Sequence, residues 1–367
     1  MYALHDVARN PGALRAALAR GAGYAPLYVK IKLLYGCNLR CEMCNHWREA
    51  RPRQLTTAQL EGLLDELARL GCRKVHFTGG EPLLRPDLET LVGRATAVGI
   101  RPTLTTNATL LDRERARALV RAGLRGVNVS IDSPDPATHD LVRGVPGAFA
   151  RSLEGLKHLR KARARGKLGI ALNTVVTRLN FRGLAELPKL ALRVGARALR
   201  LMPVDEHTGV ALRLRAAEIE EWNREIGPLL AKRALRAGLM AHEDEAYPFG
   251  RAADETARSA RGAYALGLYE RQPCFAPFTH ALVDHEGRVY VCCMARGEPL
   301  LGDLHARRFE QVWQDEPYRR VRLAMRDGRP LPPCASCDDF TDENLRLQRL
   351  LESPDEARPG AGQEAAP

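Results

Sequence analysis

The sequence has no apolar run approaching the ~20 residues that cross a bilayer as a helix, so no membrane span is expected. Residues 1–23 hold scattered arginines but no apolar stretch ending in a small-residue cleavage site, so no secretory signal is read. The expected location is the cytoplasm. Aromatic residues are scarce, at 5% of the chain, and none interleave with basic residues in a cluster. That absence argues against a nucleic-acid surface built on base stacking, in spite of a formal charge of +12. The basic residues are mostly arginines, spread along the whole chain beside Ala and Leu on what read as helix surfaces. What remains is ordinary for a globular protein: 367 residues, 45% hydrophobic and 27% charged.

Cysteine is the exception, with nine residues unevenly placed. Three stand at 37, 41 and 44, five lie between 274 and 337, and Cys72 stands alone. In a reducing compartment such clusters suit metal ligands or catalytic groups better than disulfides. Cys72 reads as a buried small hydrophobe.

From residue 28 the chain alternates short β-branched or apolar runs with amphipathic stretches. Strands are expected over 28–35, 74–78, 102–106, 126–131, 169–177 and 198–203, and helices over 57–70, 87–98, 112–122, 148–164 and 184–194. That succession predicts βαβ units, a parallel sheet and an α/β class fold, a partial (β/α)6 TIM-like barrel. In such barrels chemistry sits in the loops after the strands. A hairpin is expected at 279–293 with its turn at 284–287. The expected organisation is an extension at 1–27, the barrel at 28–205, a helical connector at 206–270, a small α+β cluster-binding domain at 271–340, and a helical then disordered tail at 341–367.

Cys37, Cys41 and Cys44 form a CxxxCxxC triplet after the first strand. Three thiolates on one loop can bind three irons of a [4Fe–4S] cube and leave the fourth iron open to a small molecule. A zinc knuckle is the alternative, and it needs a fourth ligand, which His46 could supply. Gly79-Gly80-Glu81-Pro82 follows the second strand. Its glycines allow backbone to approach a ligand closely, and the Glu81 carboxylate can accept from an ammonium group.

The triplet followed by this glycine motif resembles the radical SAM superfamily. The resemblance implies that the open iron binds the amino and carboxylate groups of S-adenosyl-L-methionine (SAM). One electron then breaks the S–C5′ bond, and the resulting 5′-deoxyadenosyl radical removes a hydrogen atom from substrate. The ammonium met by Gly79, Gly80 and Glu81 would be that of SAM. Ser130 and Arg143, within the string 130–144, fit the family's contacts near the ribose and the methionine carboxylate. Thr106-Asn107-Ala108 resembles the family's Thr-Asn-Gly, with Ala in place of Gly. Asn173 faces the pocket or turns away from it, and Met202 packs on adenine or in the core. Met43 stands where the family usually has an aromatic residue, and it can lie flat on adenine.

Cys274, a hairpin, Cys292, Trp313 and Cys334-Ala-Ser-Cys337 are similar to the SPASM/twitch extension of the same superfamily. No cysteine follows Cys337, which resembles the shorter twitch type with one auxiliary cluster. Cys274, Cys292, Cys334 and Cys337 would saturate a second [4Fe–4S] cube, with zinc as the alternative. Neighbours on a strand point to opposite faces, so only one of Cys292 and Cys293 should reach the metal.

These readings imply two clusters, SAM, and an electron donor such as flavodoxin or ferredoxin. The first substrate expectation is a small polar metabolite, oxidised or rearranged. Fewer than thirty residues precede the first strand, too few for the leader-binding domain that peptide-modifying members often have. Peptide modification is the alternative, with a separate protein supplying leader recognition. A zinc-stabilised, non-enzymatic interaction protein is the remote one. Asp132, His139, His207, His280 and Glu286 are candidates for proton transfer, with no catalytic residue singled out.

Overall fold

The computed structural model describes residues 2–48, 53–163, 168–206 and 208–352. Two helices, α1 (Tyr2–Arg9) and α2 (Pro11–Arg20), precede the first strand. The barrel then runs β1 (Tyr28–Lys32), α3 (Thr57–Arg69), β2 (Lys74–Thr78), α4 (Leu88–Ala97), β3 (Arg101–Thr106), α5 (Arg113–Arg121) and β4 (Gly126–Ser130). It continues with α6 (Pro136–Arg143), α7 (Ala148–Ala162), β5 (Gly169–Val176), α8 (Leu187–Val194) and β6 (Ala198–Pro203). Strands β2 and β6 coincide with expectation. Others differ by a residue or so at their ends, and β1 stops three residues short where the cysteine loop begins.

Local chemistry sets these elements. Thr56 caps α3 by accepting from the Gln59 N–H, while the Gln59 side chain accepts from the Thr56 N–H. Asp135 caps α6, Pro136 opens it and Gly144 closes it in the left-handed region. Helix α6 was not expected from sequence, although all three of its boundary signals are present.

Along β1, Val29 and Ile31 enter the core while Tyr28, Lys30 and Lys32 face the other way, into the barrel. Strand β5 likewise sends Ile170, Leu172 and Val176 to the core. Asn173 therefore lies on the lumen side, which settles its direction. The apolar core fills the space between the sheet and the helices outside it. The lumen is polar.

Beyond β6 lie short helices α9 (Ala216–Glu221), α10 (Gly227–Arg236), α11 (Ala253–Ala260), α12 (Leu268–Arg271) and α13 (Ala276–Thr279). Strands β7 (His280–Val283), β8 (Arg288–Tyr290) and β9 (Gly302–Asp303) follow, then α14 (Phe309–Gln314), α15 (Glu316–Arg326) and α16 (Thr341–Glu352). Among the described residues the strands make one sheet in the order β6-β5-β4-β3-β2-β1-β7-β8-β9. Strand β7 pairs in parallel with β1, Tyr28 opposite His280, and β8 turns back antiparallel. The C-terminal unit is thus joined to the barrel through its sheet rather than set apart from it. Val7 and Leu14 of the first two helices pack with Phe275, Phe278 and Leu347. The N-terminal segment is therefore bound to the C-terminal unit. Residues 353–367, expected to be disordered, and His207 lie outside the described residues.

Candidate active site and metal centres

The cysteine triplet occupies the loop after β1, and two neighbouring loops clamp it. The Gly80 and Glu81 N–H groups donate to the Leu34 and Gly36 carbonyls at 3.0 Å each. A β-carbon on Gly79 would lie 2.4 Å from the Leu34 oxygen, and one on Gly80 1.9 Å from the Gly36 oxygen. Gly79 also has φ of 139°. Glycine is therefore required at both positions by the approach of the cysteine loop's own backbone. From the other side, the Arg40 N–H donates to the Arg143 carbonyl at 3.1 Å, and a β-carbon on Gly144 would lie 2.2 Å from the Arg40 oxygen.

Each thiol of the triplet has a donor or ring nitrogen beside it. The Leu39 N–H donates to Cys37 Sγ at 3.4 Å, Arg143 Nη1 to Cys41 Sγ at 3.7 Å, and His46 Nδ1 lies 3.1 Å from Cys44 Sγ. Burial pushes the Cys37 thiol up to about 12 and raises that of Cys41. Donors aimed at sulfur in a low-dielectric loop suit thiolates whose protons have been replaced by iron. Among the described residues no group of three or more His, Cys, Asp or Glu side chains converges on a single ion. A cube accepts such spread thiolates, because each binds a different iron. Met43 packs in a small apolar cluster with Leu39, Cys41 and Ala148.

Sequence reasoning gave the Glu81 carboxylate to an ammonium ligand. In the structure it is 1% exposed and already engaged. Oε1 accepts from the Thr106 hydroxyl at 2.6 Å and the Leu83 N–H at 3.0 Å, and Oε2 from the Asn107 N–H at 2.8 Å. Glu81 and Thr106 thus lock the loops after β2 and β3 together. Asn107 passes the constraint on through Nδ2 to Asn38 Oδ1 at 2.9 Å, beside Cys37. Ala108 sits at φ of 61°, in the left-handed region that glycine favours.

Arg143 was expected to fork onto a carboxylate ligand. Its carboxylate is internal: Arg143 Nε lies 2.7 Å from Asp132 Oδ2, and both residues are buried. Asp132 Oδ1 accepts from the Val175 N–H at 2.9 Å. The Asp132 N–H donates to His139 Nδ1 at 3.2 Å, and burial holds His139 neutral, down to about 3. These three residues form one packed unit behind Cys41.

Ser130, the last residue of β4, is the register partner of Asn173 within β5, and Val175 of β5 pairs with Met202 on β6. Ser130, Asn173 and Met202 lie on the lumen side, and the Asn173 Oδ1 is buried without a hydrogen-bond partner among the described residues. His280 stands at the barrel floor against Tyr28 and Phe340, neutral by burial at about 3. Glu286 pairs with Arg288 in the hairpin turn.

The second cysteine group closes on itself. Cys274, Cys292, Cys334 and Cys337 line one cavity whose other walls include Tyr269, Val291, Met325 and Phe340. Asn344 Nδ2 donates to Cys274 Sγ at 3.4 Å, and the Tyr269 hydroxyl lies 3.8 Å from Cys337 Sγ. Four thiols in an otherwise apolar chamber fit a fully ligated cube. Cys293 is elsewhere: its thiol donates to Asp339 Oδ2 at 2.9 Å, and Asp339 pairs with Lys30 at 2.9 Å. The strand ends at Tyr290, so both cysteines stand in bends and strand alternation does not govern them. Cys72 is buried in the barrel core, as expected.

Sequence reasoning missed the charged lumen. Lys30, Lys32, Asn128 and Arg200 all face it, and Arg200 Nη1 donates to Asn128 Oδ1 at 2.8 Å. The signal was available in Tyr-Val-Lys-Ile-Lys at β1, where lysines alternate with core residues on a barrel strand.

A parallel barrel with an open three-cysteine loop at its mouth, joined to a closed four-cysteine chamber, defines an iron–sulfur enzyme. Residues 31–187 match the Radical SAM superfamily, and residues 274–338 match an iron–sulfur cluster-binding (SPASM) domain. The chain belongs to the radical SAM superfamily, whose cofactors are [4Fe–4S] clusters and SAM. It is 30% identical to the mycofactocin maturase MftC of Mycobacterium ulcerans, over 86% of this chain and 81% of that one. It is 38% identical to the PqqA peptide cyclase of Rhodopseudomonas palustris over 52% and 50% of the two chains. It is 36% identical to the AdoMet-dependent heme synthase of Nitratidesulfovibrio vulgaris over 50% and 51%. The chain thus spans about half the length of the last two. Streptococcus suis SuiB bound to S-adenosylmethionine shares the fold, with a TM-score of 0.64 at 17% identity over 90% of this chain and 77% of that one. Among the described residues no helix is long and apolar enough to cross a membrane.

Proposed function

We propose that the protein modifies a peptide by radical chemistry during maturation, in preference to oxidising a small polar metabolite. The observation that carries this reading is the match to a maturase over 81% of that protein's length, supported by the match to a peptide cyclase. Cys37, Cys41 and Cys44 hold the SAM-binding cluster, and Cys274, Cys292, Cys334 and Cys337 hold the auxiliary one. The bound cluster and SAM supply a carbon radical that removes a hydrogen atom from substrate. The protein's part is positional. Glu81, Thr106, Gly79, Gly80 and Arg143 fix the cysteine loop, while Ser130, Asn173 and Met202 present a lumen face to SAM. A low-potential flavodoxin or ferredoxin is the proposed electron donor.

The test is anaerobic incubation of reconstituted enzyme, SAM and reductant with short precursor peptides encoded beside its gene. The reading expects 5′-deoxyadenosine together with a peptide of changed mass. If no such peptide is altered while a tetrapyrrole carboxylate is turned over, the heme synthase likeness is the better guide.

A further inference from the structure

Several of the charges at the lumen mouth near the cysteine loop have a direct partner. Lys30 Nζ is held by Asp339 at 2.9 Å. Arg296 Nη2 is held by Asp205 at 2.5 Å, so that the loop after β8 meets the end of β6. Asp284 and Glu286 share Arg288, Asp284 accepting from Nε at 2.9 Å and from the Arg288 N–H at 2.9 Å. Lys32 has no such partner. It stands at the last position of β1 on the lumen side, five residues before Cys37. It is half-buried, and among the described residues it makes no hydrogen bond and no ion pair. Its charged neighbours are Lys30 on its own strand and Arg296 and Asp284 from the C-terminal unit, with the Cys293 thiol beside them. Burial, followed by the field of Arg296, lowers its ammonium to about 8.

An ammonium withdrawn from water beside a like charge costs free energy unless an anion completes the site. A single ammonium without a direct partner matches a monoanion. We infer that Lys32 is a specificity-determining residue that receives a carboxylate of the substrate at the lumen mouth. This deepens the peptide reading and rests on it for the source, which would be an acidic side chain or the C-terminal carboxylate. SAM also carries a carboxylate, and the test separates the two.

The probe is lysine acetylation by an N-hydroxysuccinimide ester, applied anaerobically to the reconstituted holoenzyme near neutral pH and mapped by mass spectrometry. Only the neutral amine reacts, so Lys32 with its lowered pKa should label faster than Lys157, whose side chain is 49% exposed. Glutarate at saturation should slow Lys32 labelling about tenfold, because a paired carboxylate raises an ammonium by about one pKa unit or more. Glutaramide, the neutral analogue, should not, and the contrast should persist with SAM bound. Equal effects of glutarate and glutaramide overturn the inference, as does a Lys32 that does not label. Loss of Lys32 labelling on adding SAM alone also overturns it, by assigning the ammonium to the cofactor. Peptide turnover does not enter this measurement. If glutarate protects Lys32 but no peptide is modified, the carboxylate site stands and only its source is wrong.

Discussion

A β-carbon on Gly80 would lie 1.9 Å from the carbonyl oxygen of Gly36, at the entrance to the cysteine loop. The glycine motif after β2 therefore acts first on the protein's own backbone. Gly80→Ala must push that loop aside, an overpacking cost of about 1–3 kcal/mol. Its iron content after anaerobic reconstitution should fall toward that of one cube, about four per chain. A variant that keeps all its iron and loses only SAM affinity would give the motif to the ligand alone.

The buried pair of Arg143 and Asp132 makes a separate prediction. Asp132→Asn strands a buried guanidinium and should cost about 3–5 kcal/mol in denaturant unfolding. The double variant with Arg143→Met should recover much of that loss. Equal instability of single and double variants would mean that the pair is not coupled.

Much of the barrel was legible because its signals are local. Core-facing residues alternate along β1 and β5, and Thr56 with Gln59 announces α3. The two cysteine groups were legible for the same reason, since their spacing is local. Pairing of β1 with β7 was not legible, since nothing in Tyr28–Lys32 names a parallel partner some 250 residues away. The work of Glu81 was also hidden. Its motif names a carboxylate after β2, but not that Thr106 and Asn107 from the next loop would reach it first. The reading of Cys293 rested on strand alternation, which the structure does not support there. Cys293 does turn from the four-cysteine cavity, but through its bond to Asp339 rather than through strand alternation.

Glu343 on α16 gives a pH dependence. Burial raises its carboxyl from the usual 4.5 to about 7, with Asp339 adding repulsion and Lys74 opposing it. A raised carboxyl destabilises the fold once ionised. The cost is absent below pH 4.5, grows until about 7 and is complete above it. Its ceiling is about 3 kcal/mol at 1.36 kcal/mol per pKa unit. Glu343→Gln should therefore unfold at higher denaturant concentration than wild type above pH 7 and at a similar concentration near pH 4. A variant less stable at alkaline pH would contradict this.

In the C-terminal chamber, Cys334→Ala with Cys337→Ala should remove about four irons. Product formation should be lost, while uncoupled SAM cleavage continues at the other centre. Cys293→Ala should keep its full iron, because that thiol faces Asp339. Iron loss from Cys293→Ala equal to that of the double variant would place it among the ligands.

The central claim is that Cys37, Cys41 and Cys44 hold the cluster at which SAM is cleaved. The direct measurement counts iron and 5′-deoxyadenosine in one anaerobic preparation under strong reductant. Wild type should bind about eight irons per chain and form 5′-deoxyadenosine, and the triple Cys→Ala variant at these positions should bind about four and form none. A soluble triple variant that keeps its full iron, or that still cleaves SAM, would contradict the account.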